Sequence, residues 1–594
     1  MAEHSTEEEL AGSPETTRRD PRTSRRTFLK VAGITGAGIV VAGAGVGGFF
    51  ASRGGGVTPT PTATLASASG VPSDPSKFGI MFPQLRAEPF AEPGDAVRQA
   101  LLEVGKQGGI MDALDDLTIA PDRLLFDAAV NGSAVVAGTY GRAPANPTST
   151  HGSTFFGQFI THDMTFDATT VLGSPANPLL TPNNQTPALD LDGVFGGGPK
   201  SHPELYEGAK VKIGTGGVYE TLPSTAKGDG SYKVLIPDGR NAQTLTLEGL
   251  TVAYMLAYNR VVDEIESFDL SRFPAVSALD LSDAQNLHLA AREIILWHYH
   301  WLIVNEYLPQ AVGQEMTDSV VRDGNKFYNP PSGNAYMPVE FNSASFKFGH
   351  AQSNPSFRAN FSSGTGASAD PAKQPFYGLG FDASLPMERF NANTFDRGDM
   401  LGGYPAARRY LGWQSFYDFG DGQVLQNRRI DPKITSVLFT LPIPAIPGSE
   451  LEFTVLPQRD LLRVLTWALP PGQAVARQMG VEALAASDLE EIGSVYSDFA
   501  TKTPMWYYEL AEAKAVNDGL HLGPVGGRIV AETILGILRD DQGGYLNQNP
   551  DFQPFLGSDL KLGASTVSTI AGSRDYTHAQ LLYYAGVVEP GVYR

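Results

Sequence analysis

The stretch from Phe155 to Asp167, FFGQFITHDMTFD, sets three chemistry-bearing side chains inside an apolar segment. Gln158 and His162 are four residues apart, so on a helix they share one face. Asp163 follows directly and points about a quarter-turn away, toward a different partner. An amide and an imidazole facing one way, with a carboxylate facing another, describe a polar site set in a hydrophobic wall. They also describe a core histidine satisfied by its own glutamine. The rest of the chain has to separate the two readings.

None of the 594 residues is cysteine. That removes disulfides, thiolate nucleophiles, Cys-ligated zinc, iron–sulfur clusters and thiolate-held haem together. Any metal or cofactor must then be held by His, carboxylates, carbonyls or packing. Hydrophobic content of 42% with 18% charged residues predicts an ordinary globular protein with a large core. A net charge of −20 argues against a nucleic-acid surface and gives no support to binding anionic lipid. With 65 Gly and 42 Pro, many turns and long irregular connections are expected.

The N-terminus supplies a compartment. Ser24-Arg25-Arg26-Thr27-Phe28-Leu29-Lys30 is a twin-arginine pattern, and a weakly apolar Gly/Ala/Val-rich run follows from Val31 to Phe50. A basic start, an apolar middle and small residues beyond it are what export signals need. Residues 1–53 are therefore expected to engage the twin-arginine export machinery and to place the protein outside the cytoplasm, secreted, periplasmic or at the cell surface. Ala66-Ser67-Ala68 offers a cleavage site but lies well past the apolar run. That run of 20 residues is just long enough to span a bilayer, so an uncleaved anchor stays open. Residues 54–75, rich in Thr, Pro, Ala and Ser, read as a linker. Residues 76–594 show no second linker and no repeat, so one large domain is expected.

Helical periodicity runs over Asp95–Gln107, Thr246–Ser267, Ser282–Tyr307, Gln473–Met479, Leu489–Thr501 and Val525–Leu538. Strand signals are short, as at Tyr232–Ile236 and Val437–Leu441. The fold class is mostly α with long loops.

Three further segments carry chemistry. Thr186-Pro187-Ala188-Leu189-Asp190-Leu191-Asp192-Gly193 alternates oxygen-bearing residues, as a hard cation such as Ca²⁺ requires, and Asp163 could add a carboxylate. Such loops are more often solvated turns. Pro237-Asp238-Gly239-Arg240-Asn241 places an arginine at a helix entrance, either in a surface ion pair or as a charge stabiliser in a dry pocket. Phe346-Lys347-Phe348-Gly349-His350 ends an apolar stretch on a histidine, with a glycine that would let a flat ligand approach the backbone. A simply packed histidine is the plainer reading.

In order along the chain, GQFITHD, TPALDLDGVFGGGP, PDGRN with its YNRVVDEI helix, FKFGH, RDLLR…LPPGQAVAR and LGPVGGRIVAE resemble the animal-type haem peroxidases, the peroxidase–cyclooxygenase superfamily, and in particular its bacterial secreted members. The resemblance covers roughly Gly152 to Leu538. It implies a single haem peroxidase domain in which His162 is the distal histidine, Gln158 its amide neighbour, Arg240 the distal arginine and His350 the proximal ligand to haem iron. It implies calcium held by Asp163, Thr186, the Ala188 carbonyl, Asp190 and Asp192. The reaction implied is reduction of hydrogen peroxide with oxidation of a small phenolic or halide electron donor.

Departures from the family pattern sharpen the expectation. The asparagine behind the proximal histidine is Asp460 here. The acidic residues that ester-link haem in mammalian members are Thr161 and Gln243, which implies non-covalent haem b. Lys347 stands where an arginine often meets a haem propionate. Arg463 is retained, but the Gly-Arg expected after it is Val464-Leu465. A fatty-acid dioxygenase shares the scaffold and uses a tyrosine three residues before the proximal histidine, the place Lys347 occupies. A haem- and calcium-binding scaffold without turnover is the other alternative. Oligomeric state is open, and without cysteine any dimer is non-covalent.

Overall fold

A computed structural model of the chain describes residues 70–126, 145–216, 219–226, 232–361, 375–385, 398–403, 409–442, 453–563 and 576–588. The expected export signal, the apolar run and most of the linker lie outside these residues. The described residues are mostly helical, with strand confined to six two-stranded ladders. The helices that build and support the site are α1 (Asp95–Val104), α2 (His151–Met164), α3 (Leu245–Glu264), α4 (Ala284–Leu302), α5 (Gly349–Gln352), α6 (Leu456–Thr466), α7 (Met505–Asn517), α8 (Pro524–Asp540) and α9 (His578–Tyr584). No helix among the described residues is long and apolar enough to cross a membrane.

Helix α2 forms where the FFGQFITHD pattern places it. Thr150 and Ser153 close its start with a reciprocal capping box, satisfying N–H groups that the first turn leaves open. Gly152 and Gly157 each cost about 1 kcal/mol in helix propensity relative to alanine. Both are required by packing: a Cβ at Gly152 would overlap the Tyr417 ring, and one at Gly157 would overlap the Tyr307 hydroxyl. Aromatic rings therefore sit directly on the α2 backbone. Behind it, α3 packs on both α2 and α4. Phe159 meets Tyr254 of α3 at a ring separation of 5.2 Å, and Phe156 meets Tyr299 of α4 at 5.8 Å. One contiguous hydrophobic core joins these helices to α6, α7 and α8.

Several expectations hold at the level of element and shift at the ends. The periodic run from Asp95 stops at Val104, where Gly105 follows. The run from Thr246 is α3 plus a 3₁₀ turn at Ile265–Ser267. The strand expected from Tyr232 pairs Tyr232–Val234 antiparallel with Ser224–Ala226. Three readings are corrected. Val437–Leu441 is not a strand: Ser436–Phe439 is a 3₁₀ helix, because a short apolar run buried on every side carries no period-two alternation to distinguish it. Leu489–Thr501 is broken at Tyr496, whose extended backbone (φ −149°) separates Glu490–Val495 from a 3₁₀ turn at Ser497–Ala500. The long helix expected to Tyr307 ends at Leu302 and widens into a π turn, Ile303–Tyr307. Pro309 explains it, since proline has no N–H to give the Asn305 carbonyl and the i→i−4 ladder cannot continue.

Two buried carboxylates on α7 support the segment that carries His350. Glu509 accepts the Ser345 hydroxyl at 2.7 Å, and Glu512 accepts the Val525 N–H at 3.0 Å, capping α8. Burial pushes Glu509 well up and Glu512 up to about 8. A raised folded pKa means that the contribution of Glu512 is complete below its unfolded value of 4.5 and is lost as pH rises through about 8. Urea unfolding of Glu512→Gln between pH 5 and 9 should show a flatter decline in stability than the parent protein. Parallel curves would refute the assignment.

Candidate functional site

A cavity of about 280 Å³ opens between α2 and the segment around α5, closed from the side by α6. Nine of the residues singled out from sequence line it: Gln158, Thr161, His162, Arg240, Gln243, Lys347, His350, Asp460 and Arg463. Residues separated by more than 300 positions therefore converge on one space.

His162 is buried, and its Nδ1 lies 2.9 Å from the Asn241 side-chain oxygen. The Asn241 amide nitrogen faces the Gly193 carbonyl at 3.5 Å, which orients its oxygen toward the imidazole. Nδ1 is thus the protonated nitrogen, and Nε2 is left as an unprotonated base on the cavity. Burial, and then the Arg240 charge, depress His162 to about 3, so the ring is neutral across ordinary pH. Asn241 was not singled out as a site residue, although it ends the PDGRN motif.

Arg240 lines the same cavity but is firmly held. Its Nε donates to Asp238 at 3.1 Å, one terminal nitrogen to the Thr165 carbonyl at 2.8 Å, and the other to Asp238 at 2.6 Å and to the His162 carbonyl at 2.9 Å. The guanidinium also stacks 4.4 Å over Phe166. These bonds leave one N–H for the cavity. Asp238 is correspondingly held below the usual carboxylate range against the pull of burial, because Arg240 stabilises its charge.

In the same lining, His350 Nδ1 lies 2.6 Å from Asp460 Oδ2, which leaves Nε2 as its other ring nitrogen. Asp460 projects from α6 with 6% of its side chain exposed, against 30% for His350. Arg463, one turn along α6, is paired with Asp167 at 2.7 Å. Lys347 is pushed down, first by burial and then by its neighbours Arg463, Arg459 and Arg240, with Asp460 opposing. The lining holds four cations (Arg240, Lys347, Arg459, Arg463) against Asp167 and Asp460. A net positive cavity in a chain of net charge −20 suits a ligand that carries carboxylates. Two imidazoles in one lining, each with its Nδ1 on a fixed partner, are a donor set that fits an iron porphyrin. Thr161 and Gln243 line the cavity as well, the Thr161 hydroxyl turned back to the Gly157 carbonyl at 2.9 Å. Neither side chain carries a carboxyl group with which to form an ester.

Asp163 points away from the cavity, as its place in the helix requires. It meets Asp190 and Asp192, with one oxygen of each carboxylate within 4.8 Å of the others. The connecting loop reaches this arrangement through two left-handed leucines, Leu189 (φ 51°) and Leu191 (φ 55°), both fully buried. Left-handed backbone costs roughly 1–2 kcal/mol at a residue with a Cβ. Here it alternates buried leucines with carboxylates turned toward α2, and the Leu191 N–H reaches Asp163 at 3.0 Å. Thr186 and Ala188 lie on the same loop, four and two residues before Asp190. Arg292 of α4 contacts Asp190 at 3.2 Å. Three carboxylates meet one guanidinium here, and one oxygen of Asp163 is buried without a hydrogen bond within 3.5 Å. Burial, and then Asp190 and Asp192, push the Asp163 carboxyl well up. This donor set fits a divalent, oxygen-seeking cation.

Comparison with known proteins agrees with this architecture. Residues 170–376 match the family model of the animal haem peroxidases. This stretch contains the acidic loop, Arg240 and His350, while His162 lies just before it and Asp460 beyond it. Peroxidase A from Dictyostelium discoideum shares the fold, with a TM-score of 0.52 at 15% identity over 86% of this chain and 99% of that one. Fatty acid alpha-dioxygenases from Oryza sativa (TM-score 0.46, 15% identity, 71% of this chain and 74% of that one) and Arabidopsis thaliana (0.44, 11%, 82% and 83%) are more distant in shape. No curated protein sequence matches the chain.

The Arg240–Asp238 pair, each side chain 11% exposed, predicts a specific pattern of stabilities. Arg240→Ala leaves a buried carboxylate unpaired and should cost about 3–5 kcal/mol in urea unfolding. Adding Asp238→Asn should recover part of that loss. Additive losses would show that the two side chains act independently.

Proposed function

We propose that this chain is a haem-dependent peroxidase that reduces hydrogen peroxide at the expense of a small organic, typically phenolic, or halide donor. One observation carries the reading: two histidines line one cavity, and each uses Nδ1 on a fixed acceptor, Asn241 for His162 and Asp460 for His350, which leaves Nε2 as the nitrogen available to a ligand. The family match supports haem as the group that fills this space.

His350 would hold the iron, and Lys347, Arg459 and Arg463 would face the propionates. Bound haem would supply the metal that activates peroxide and stores oxidising equivalents for the donor. The rest of the chemistry belongs to the protein. His162 Nε2 takes a proton from one peroxide oxygen and delivers it to the other, which leaves as water, an acid–base contribution worth ~10²–10⁴-fold. Its neutral state makes the first transfer possible. Arg240 offers its remaining N–H to charge building on the separating oxygens, and loss of a comparable donor costs about 3 kcal/mol. Asp460 draws the His350 Nδ1 proton toward itself, giving the ring more imidazolate character than an asparagine would. Haem would be non-covalent, since Thr161 and Gln243 cannot esterify it.

Calcium at Asp163, Asp190 and Asp192, with Thr186 and the Ala188 carbonyl, would serve the same end. Asp163 is the residue after His162, so a cation fixed on it fixes the base. Export through the twin-arginine pathway, with cofactor inserted into the folded protein beforehand, fits the N-terminal pattern.

A second reading rests on Tyr307, a tyrosine in the cavity lining, and on a dioxygenase neighbour whose structure was obtained with palmitic acid. Oxygen uptake with fatty acid would favour it. Absorption spectra of the purified protein with and without peroxide decide the main claim, and absence of a Soret band after haem supplementation would remove it.

Three outcomes are expected. His162→Ala should lower peroxide consumption ~10²–10⁴-fold while keeping the haem spectrum; an unchanged rate would exclude His162 as the base. Redox titration of Asp460→Asn should give a higher iron potential than the parent. Calcium at about a hundredfold over its dissociation constant should stabilise the protein by about 2.7 kcal/mol in thermal unfolding, an effect absent in Asp190→Asn.

A further inference from the structure

A second cavity, of about 640 Å³, lies between the end of α1, the segment 428–433 and the C-terminal part of α7. The peroxide chemistry uses none of it. Arg428 stands in its wall. This residue ends the strand Gln426–Arg428, which pairs antiparallel with Ala145–Thr150, so its backbone is fixed. Its side chain is fully buried, yet Nε and both terminal nitrogens make no hydrogen bond. Its partner in charge, Asp115 Oδ2, stays 3.7 Å away. That oxygen already accepts the Thr435 hydroxyl at 2.7 Å and the Ser436 N–H at 3.0 Å, which hold it back. A guanidinium carries five N–H donors, and leaving a buried charged donor unmet is costly.

The acidic groups around the cavity are already engaged. Glu103 meets Lys106 at 2.5 Å, and Glu491 meets Lys433 at 2.5 Å. Asp112 accepts the Gly108 and Leu114 N–H groups at 2.8 and 2.9 Å and the Ser436 hydroxyl at 2.5 Å. Asp431 accepts the Lys433 N–H at 2.9 Å, and burial pushes its carboxyl up, with Arg428 opposing. Lys514 is exposed and makes no hydrogen bond or ion pair among the described residues. The unspent donors on the lining therefore belong to two cations, one buried and one exposed.

A water molecule supplies Arg428 with an acceptor but no charge. An oxyanion supplies both, and a carboxylate or phosphate matches the guanidinium fork with two parallel hydrogen bonds. The volume exceeds that of a bare ion and lies in the range of small-molecule sites. Ile110, Leu114 and Val495 give the same lining an apolar part. Leu114 is 48% exposed although its backbone is left-handed (φ 59°), a conformation that costs energy at a residue with a Cβ.

We propose that this cavity binds a small organic anion, with its carboxylate or phosphate on Arg428 and Lys514 and its apolar part against Ile110, Leu114 and Val495. Haem is not required for it, since none of these residues lines the catalytic cavity. A net charge of −20 repels anions from the protein as a whole, so saturable binding of one needs a local site such as this.

The test is titration calorimetry of the purified protein at fixed ionic strength, with benzoate and phenyl phosphate beside acetate and inorganic phosphate. The expected result is saturable one-to-one binding of benzoate or phenyl phosphate, tighter than that of the bare head group. The tighter of the two names the head group. Arg428→Gln should weaken it at least ~10-fold, as loss of a hydrogen bond to a charged group does. Lys514→Ala should weaken it about two- to fivefold, as an exposed charge does. Lys106→Ala, whose charge is spent on Glu103, should leave it unchanged. Should Arg428→Gln fail to fold, Lys514→Ala decides, because that side chain is exposed. No saturable binding, or binding that Arg428→Gln or Lys514→Ala leaves unchanged, overturns the proposal. Acetate and phosphate binding as tightly as their phenyl counterparts overturns its apolar half. Each of these results leaves the peroxidase reading untouched.

Discussion

The burial of Asp163 is the constraint on which the rest of the structure turns. A carboxyl group placed in the core beside Asp190 and Asp192 cannot rotate freely, because moving it would break its bond from the Leu191 N–H and leave a buried polar group unpaired. Asp163 and His162 are consecutive on one helix, so holding the first fixes the rotation of the second. The capping box at Thr150 and the rings seated on Gly152 and Gly157 fix the same helix along its length. With α2 held at these points, His162 Nδ1 lies 2.9 Å from the Asn241 side-chain oxygen. Its tautomer, and with it the base on the cavity, follows from that position.

Much of this was legible in the residues. Helical spacing sufficed to turn Gln158 and His162 one way and Asp163 another, since side-chain direction follows from backbone period. The resemblance that the ordered motifs carry implied that Arg240, His350, Asp460 and Arg463 share one site, and the cavity lining holds all four. What remained hidden depends on which acceptor a donor meets, and periodicity carries no such information. Asn241 stands beside Arg240 in the sequence, yet its part in orienting His162 shows only through its second contact, with the Gly193 carbonyl. Arg240 reads either as a surface ion pair or as a charge stabiliser in a dry pocket, and in the fold it is both buried and paired, with most of its N–H groups taken by Asp238 and two main-chain carbonyls. Val437–Leu441 and the break at Tyr496 show the same limit in the backbone: short apolar runs take whichever conformation the surrounding core leaves open.

The π turn at Ile303–Tyr307 is instructive because its cause is local and its effect is not. Pro309 interrupts the helical ladder, and the inserted residue turns Glu306 to His578 of α9, at 2.6 Å, and Tyr307 to the cavity. A straight α-helix through the same residues would keep only one of them in place. The sequence displays the proline openly, but only the packed structure shows that α9 and the cavity both depend on the widened turn.

The cavity has two walls of different character. One is a mesh of hydrogen bonds, in which Arg240, Asp238, Asn241, His162 and the Thr165 carbonyl hold one another. Elsewhere, beside His350 and Asp460, the lining includes Phe357, Phe381, Met400, Leu438 and Leu441, whose side chains are held only by contact. A substitution in the mesh disturbs every member of it, whereas a change of size on the apolar side is felt mainly by the molecule that rests against it. Natural variation in what such a protein oxidises has a soft surface on which to act, with the proton chemistry insulated on the hard one.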